Sequence, residues 1–448
     1  MTIHLVSLGC DKNLVDAEVM LGLLAEAGHT YTNDPAGAEA ILVNTCSFIA
    51  AAAQEAIDTI LEMAAYKQTG RCRYLAVTGC LVSRYERLIF SEIPEVDAIV
   101  GPGDYGRIGE ALKLLKAGDK PAFFGGRDSR MEEGDALKRR LNAPSHFAYL
   151  KIAEGCDNHC TYCTIPSIRG VYRSRTLESL AAEGAFLAGQ GVRELVLVAQ
   201  DTSRYGTDLY GQSRLSDLLR QLSAIEGIVW IRLLYAYPEH LTDESITEMA
   251  RNPKVCHYID LPMQHADDAL LKRMGRRSTQ TGLRAAVGKL RAAMPDIAIR
   301  TTFITGFPGE TEEQFANLLN FVREMAFDKV GVFPYSQEEG TPAAGFPGQL
   351  EEKVKKRRAS RLAAAQKKIS AAKLKGLVGQ RLRVMVDGAV TGPDGGELYS
   401  GRSYRDCYEI DGCVYFPRRR EILSGELVTV AITGSAAYDL FGEEEVPI

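Results

Sequence analysis

Within GCDNHCTYC, Cys156, Cys160 and Cys163 set the spacing CxxxCxxC. Clustered thiols in a chain of this length point to metal or catalysis before disulfides. A tetrahedral structural zinc takes four protein ligands, and only three thiols are local. His159 could be offered as the fourth, but it adjoins Cys160, and both can hardly reach one ion with good geometry. An electron-transfer iron–sulfur centre would likewise use four thiolates. Three thiolates on a four-iron cluster leave one iron without a protein ligand. An open coordination position is where a substrate or cofactor can bind.

A second group is spread out in sequence. Cys10, Cys46 and Cys80 close the runs HLVSLGC, EAILVNTC and RYLAVTGC at similar intervals. Each run reads as an apolar strand followed by a helical stretch, and a fourth strand, VDAIVG, follows at 96–101. Alternating strands and helices predict a parallel sheet, and ligands bind beyond the carboxyl ends of such strands. The three cysteines should therefore converge on one edge as a shared metal site. The plainer alternative is three buried structural cysteines. Cys72, Cys256, Cys407 and Cys413 are read as packing residues.

The elements that must position these groups fall into four stretches. Residues 1–116 form an N-terminal parallel-sheet α/β domain. Residues 117–145 mix charge, Gly and Pro as a connector. Residues 146–375 carry six strand candidates alternating with helices, a partial (β/α)6 barrel whose chemistry should sit at the strand carboxyl ends. That barrel closes with a helix over 351–375 holding ten Lys/Arg against two Glu. It is read as a solvated connecting helix, with contact to phosphate as the alternative. From 376 to 448 the pattern switches to a period of two, which predicts a small antiparallel β-barrel of the oligonucleotide-binding kind.

The whole is α/β in class. At 448 residues, 46% hydrophobic and 25% charged, the chain has room for two to four domains with real cores. Its net charge of −5 argues against a protein whose main task is gripping nucleic acid through a basic surface. The surplus acid lies in the last module, which has seven Arg, no Lys and twelve Asp/Glu. No apolar run is long enough to span a membrane, and the N-terminus runs straight into a strand pattern. A cytoplasmic location is expected.

With these motifs in hand, the chain resembles the radical S-adenosylmethionine enzymes, and along nearly its whole length the methylthiotransferases. The segments LGCDKNLVDAE, VNTCSFI, TGCLVSRY, KIAEGCDNHCTYCTIPSIRG, TTFITGFPGET and FPYSQEEGTPAA are most similar to the branch that modifies ribosomal protein uS12. Related tRNA enzymes usually read GCQMN where this chain reads GCDKN, and the closer branch has Pro in place of Asp11.

The resemblance implies a radical-SAM barrel and a C-terminal TRAM domain. It implies 4Fe–4S clusters on Cys156, Cys160 and Cys163 and on Cys10, Cys46 and Cys80. It also implies S-adenosylmethionine as cofactor, split to give a 5′-deoxyadenosyl radical, and sulfur insertion at the β-carbon of a uS12 aspartate. Both clusters must then face one pocket, so the N-terminal sheet edge should dock over the barrel mouth. Tyr162 matches the family's aromatic position near the adenine. Gln200, with Asp201, stands where many relatives carry a Gly-Gly-Glu segment. Gln264, His265, Gly306 and Tyr335 are further pocket candidates. Arg169, Arg173 and Arg175 could pair with a carboxylate or simply with neighbouring acids.

A basic ribosomal protein suits an acidic terminal module better than a polyanion does, so uS12 is the expected partner and tRNA the alternative. An electron donor such as flavodoxin or ferredoxin is the second expected partner. A non-catalytic iron–sulfur carrier would need four protein thiolates per cluster, and each group offers three.

Overall fold

A computed structural model describes residues 1–126, 129, 134–141 and 146–445. The first sheet has six parallel strands. In chain order they are Thr2–Ser7, Thr30–Tyr31, Ala40–Thr45, Tyr74–Gly79, Ala98–Val100 and Ala122–Phe123, with the second at one edge. Its central strands are buried on both faces. Successive side chains alternate, so Ile41, Val43, Leu75 and Val77 pack under the helix Ala50–Ala64. Leu42, Ala76 and Val100 pack on the other face, with Met20 and Leu24 of the helix Asp11–Glu26. The short strands Thr30–Tyr31 and Ala122–Phe123 give too little pattern to be read from sequence, and the latter falls inside the expected connector. Much of that connector lies outside the described residues. Its Arg139 is 2% exposed and bridges Glu18 (2.7 Å) of the first domain to Glu183 (2.8 Å) of the second.

The second sheet also has six parallel strands, each beside its neighbour in sequence: Phe147–Lys151, Glu194–Val198, Trp230–Leu233, Val255–Asp260, Ala298–Thr305 and Lys329–Pro334. Helices cover the outer face through one large apolar core. The inner face is filled from both ends. Phe147, Tyr149, Val198 and Trp230 pack with Val15 of the N-terminal domain and with Met385 and Cys407 of the C-terminal module.

The basic helix Glu352–Lys375 is solvated along most of its surface, as expected, but packs one face on the barrel. Leu362 is fully buried, and Arg358 and Lys373 pair with Glu310 (2.8 Å) and Asp328 (2.9 Å).

The C-terminal module is a closed five-stranded barrel, and the expectation of wholly antiparallel pairing needs correction. Val414–Pro417 and Leu440–Glu444 run parallel. A ring with an odd number of strands cannot alternate direction all the way round, so one pair must agree. Its loop at 404–411 sits against the floor of the larger barrel. Tyr258 donates to Asp411 at 2.8 Å, and Arg232 donates to the Tyr404 carbonyl at 2.6 Å. Among the described residues, no helix is long and apolar enough to cross a membrane.

Candidate functional site

All ten cysteines are free. The loop carrying Cys156, Cys160 and Cys163 follows the first strand of the second sheet and is pinned from several sides. The Cys156 amide donates to the Gly170 carbonyl (3.0 Å), and the Thr161 amide donates to the Met274 carbonyl (3.0 Å). The Ala343 amide donates to the Thr161 carbonyl (2.8 Å), and the Asn158 amide group donates to Asp201 (3.1 Å). Gly155 starts the loop at φ +77°, and a Cβ there would lie 2.0 Å from the Val171 carbonyl oxygen. Only glycine meets both conditions. Gly155→Ala is therefore expected to destabilise the chain by more than about 1 kcal/mol, as calorimetry would read.

Cys10, Cys46 and Cys80 leave three strand ends on the same edge of the first sheet, as the spacing predicts. Gly9 lies so close to Cys46 that a Cβ on it would fall 2.6 Å from the Cys46 Cβ and 3.2 Å from its Sγ. Asn13 ties the edge together by donating to the carbonyls of Leu8 (3.1 Å) and Thr45 (2.9 Å).

Burial pushes Cys80 up to about 12, with the nearby Cys10 and Cys46 adding to it. Burial likewise pushes Cys156 up to about 11, with Cys160 adding, and Cys163 rises further still. Without metal these sulfurs stay protonated, and metal binding must displace the protons.

Among the described residues, no three His, Cys, Asp or Glu side chains converge as ligands of a single ion do. Each trio does offer three free thiols, the number that leaves one corner of a four-iron cluster open. Donors to sulfur are already present. The Ile165 amide donates to Cys163 Sγ (3.5 Å), and Arg169 Nη2 donates to Cys80 Sγ (3.6 Å). Both are contacts of the kind that surround iron–sulfur centres.

The two trios meet at one barrel mouth. Thr164, next to Cys163, donates to the carbonyl of Phe48, two residues beyond Cys46 (3.2 Å). Glu338, 2% exposed, accepts from the Ala50 amide (2.9 Å) and pairs with Arg84 (3.3 Å). It caps a helix of the first domain from the last loop of the second. Tyr235 and Tyr237 leave one strand end towards different trios. Lys12 lies 3.5 Å over the Tyr235 ring, and the Tyr237 hydroxyl is 3.8 Å from Cys160 Sγ.

Of the other residues singled out, Tyr162 packs against the cluster of Leu270, Met274, Phe307 and Tyr335. Its hydroxyl is pushed far up by burial and by Cys160. Gln200 donates to Glu154 (3.0 Å), while its buried Oε1 finds no partner among the described residues. Asp201, fully buried, holds Asn158 and His240 (2.7 Å). Gln264 takes φ +70° and bridges to Phe303 at the sheet's carboxyl end. Gly306 is packed against the long helix, since a Cβ there would lie 2.5 Å from Lys355 Cγ. Tyr335 is 2% exposed, and its hydroxyl lies near Gln349.

His265 is not at the surface. It is fully buried, accepts from the Asp267 amide at 3.0 Å, and burial lowers it to about 4, so it is neutral near pH 7. Arg169 and Arg175 pair with neighbouring acids, the buried Asp16 (3.1 Å) and half-buried Glu154 (2.8 Å) for the first and the buried Glu183 for the second.

Sequence reasoning missed Arg276. Its side chain is 1% exposed, lies 4.0 Å over the Tyr237 ring, and donates to the Pro262 carbonyl at 3.0 Å. Its Nε and Nη1 find no partner among the described residues. Its Nη2 also pairs with Glu239 at 3.7 Å, and with two donors still idle beside Cys160 and Tyr162 the guanidinium could take the carboxylate of an amino-acid cofactor as well. Arg276 follows its strand by a whole helix, so no motif spacing announced it.

Comparison with known proteins agrees with this architecture. Residues 2–101 match the model described as uncharacterized protein family UPF0004, 150–322 the radical SAM superfamily and 378–444 the TRAM domain. A radical S-adenosylmethionine methyltransferase, TsrM from Kitasatospora setae, solved with cobalamin and a 4Fe-4S cluster, shares the fold. Its TM-score is 0.56 at 14% identity, covering 88% of this chain and 81% of that one. The ribosomal protein uS12 methylthiotransferase RimO of Desulforamulus reducens is 49% identical over 447 residues, 99% of each chain. That of Geobacter sulfurreducens is 50% identical over 441 residues, 98% of each. Likeness at that level and over that length shows the family, and the chain belongs to the RimO family of ribosomal protein uS12 methylthiotransferases.

Proposed function

We propose that this chain is a radical S-adenosylmethionine methylthiotransferase that places a methylthio group on the β-carbon of an aspartate in ribosomal protein uS12. The observation that carries the reading is the meeting of two free-thiol trios at one barrel mouth, bridged by Thr164, Phe48 and Glu338. Cys156, Cys160 and Cys163 would hold one 4Fe–4S cluster, and Cys10, Cys46 and Cys80 the other. When bound, these groups supply the electron that cleaves S-adenosylmethionine and the sulfur that is transferred; a second S-adenosylmethionine supplies the methyl group.

The chain's own residues bind and orient. Arg276 takes the cofactor carboxylate with its idle donors. Tyr162, half-buried and backed by the buried Phe307, offers an apolar face for the adenine. Gln200 Oε1, without a partner among the described residues, would accept from an ammonium. Glu338 and Arg84 hold the first domain against the barrel, which keeps water out and fixes the two trios relative to one another. The acidic terminal barrel favours a basic protein over tRNA, while the exposed Lys356, Arg357, Lys367 and Lys368 of the long helix are the feature that would suit RNA if uS12 is modified within a particle. The reductant is a small carrier such as flavodoxin or ferredoxin, and the work is done in the cytoplasm.

Incubating reconstituted enzyme, reductant and S-adenosylmethionine with a uS12 peptide should yield a methylthio mass gain. Gain on tRNA and none on the peptide or on small subunits would overturn the substrate. Arg276→Gln should weaken S-adenosylmethionine binding roughly ten- to hundredfold, the range for losing a charge-assisted hydrogen bond. Affinity for 5′-methylthioadenosine, which lacks the carboxylate, should stay put. Equal losses for both ligands would take the carboxylate away from Arg276.

A further inference from the structure

Arg169 belongs to the second domain, yet it ends inside the first. It closes the short helix Ile165–Arg169, directly after the loop of Cys163 and Thr164. Its side chain is 1% exposed. The guanidinium splits its loyalties. Nη1 meets the carboxylates of Asp16 (3.1 Å) and Glu154 (2.8 Å). Nη2 turns the other way and donates to Asn13 Oδ1 and, at 3.6 Å, to Cys80 Sγ. Asn13 is itself the residue that ties together the edge from which the N-terminal trio projects. One stretch of backbone thus carries a ligand of the barrel trio at one end and a cation on the N-terminal trio at the other.

A planar fork is suited to this, since one nitrogen can be neutralised while the other acts on sulfur. A hydrogen bond and a positive charge at a cluster thiolate favour the more negative, reduced form. The effect is large where water is excluded.

We propose that Arg169 is a positioning residue that raises the reduction potential of the cluster held by Cys10, Cys46 and Cys80 through its contact with Cys80. The inference rests on the two-cluster reading above. It deepens that reading by making the barrel-cluster loop set the electronics of the other centre. Salt bridging to Asp16 and Glu154 alone would fix the domains without moving a potential.

The test uses the full chain with Cys156, Cys160 and Cys163 replaced by Ala, so that only the N-terminal cluster remains. Midpoint potentials come from a redox titration followed by EPR, and exchangeable protons near the cluster come from ENDOR in H2O against D2O. Into this background go Arg169→Gln and Arg169→Lys. The expected result is about four irons retained, as one cluster requires. The potential should shift to more negative values in R169Q and by less in R169K, and the proton coupling should be lost in R169Q. An unmoved potential with coupling intact overturns the inference. Loss of iron from both variants, whatever its cause, also overturns it, because Arg169 is then scaffold. The parent triple variant separates the two ideas. If it holds no iron before Arg169 is touched, the two-cluster reading fails; if it holds iron whose potential ignores Arg169, only this inference does.

Discussion

Cys46→Ala is expected to abolish methylthio transfer to a uS12 peptide while leaving reductive cleavage of S-adenosylmethionine within a few-fold of the parent. Iron should fall from about eight to about four per chain, one cluster's worth. The asymmetry follows from position. Cys46 is half-buried on the edge of the first sheet, beside Gly9 and Cys10, and the backbone at Ser47 and Phe48 donates to its sulfur. Alanine keeps the Cβ and adds nothing, so the loop 46–49 and its bond to Thr164 persist. The barrel loop has its own anchors at Gly170, Met274 and Ala343. Cys160→Ala should give the opposite pattern, with cleavage lost and the other four irons kept. Quantifying 5′-deoxyadenosine and modified peptide together decides it. Collapse of cleavage in C46A would mean the trios do not divide the labour.

The largest expected loss of stability lies far from the cysteines. Glu194, fully buried at the start of its strand, sits between Arg232 (2.7 Å) and Arg402 of the C-terminal barrel. Burial alone would raise its carboxyl, but the two guanidiniums win and hold it below the usual range. Glu194→Ala leaves two buried cations facing each other, and only Arg402 keeps a carboxylate, Asp387 at 3.0 Å. Breaking such a pair from one side costs about 3–5 kcal/mol.

Calorimetry of the iron-free chain should show an early transition for the terminal barrel. A change under about 1 kcal/mol would place Glu194 among ordinary surface residues and sink the argument. The sign with pH is fixed too. A carboxyl lowered in the fold stabilises above its unfolded value, about 4.3, and that stabilisation drains away as pH falls through the folded value. The variant should therefore lose part of the acid sensitivity of the parent.

The sequence was most informative where chemistry and period coincide. Three strand-end cysteines in a βα series have one reasonable meeting place, and the edge of the first sheet is that place. CxxxCxxC carries its own local geometry. What escaped was what crosses between domains. Arg169 on Cys80 and Glu338 on Ala50 join residues that no window of sequence holds together. Arg276 and His265 owe their meaning to burial, and a polar residue in a helix-flanking loop looks exposed until the loop is folded back. The single parallel pair in the last barrel was hidden for a simpler reason, since alternation marks a strand and says nothing of its direction.

The loop 404–411 has a consequence for how such enzymes could diversify. Cys407, buried with Trp230 and Tyr258, completes a floor that the larger barrel does not build for itself. The terminal module is thus masonry as much as a docking arm. Exchanging it for one with other tastes would leave an aromatic cellar open to water, unless the newcomer brought its own wedge and its own counterpart to Arg402. Changes of clientele should therefore arise by repainting the outer strands of this module, not by trading it whole.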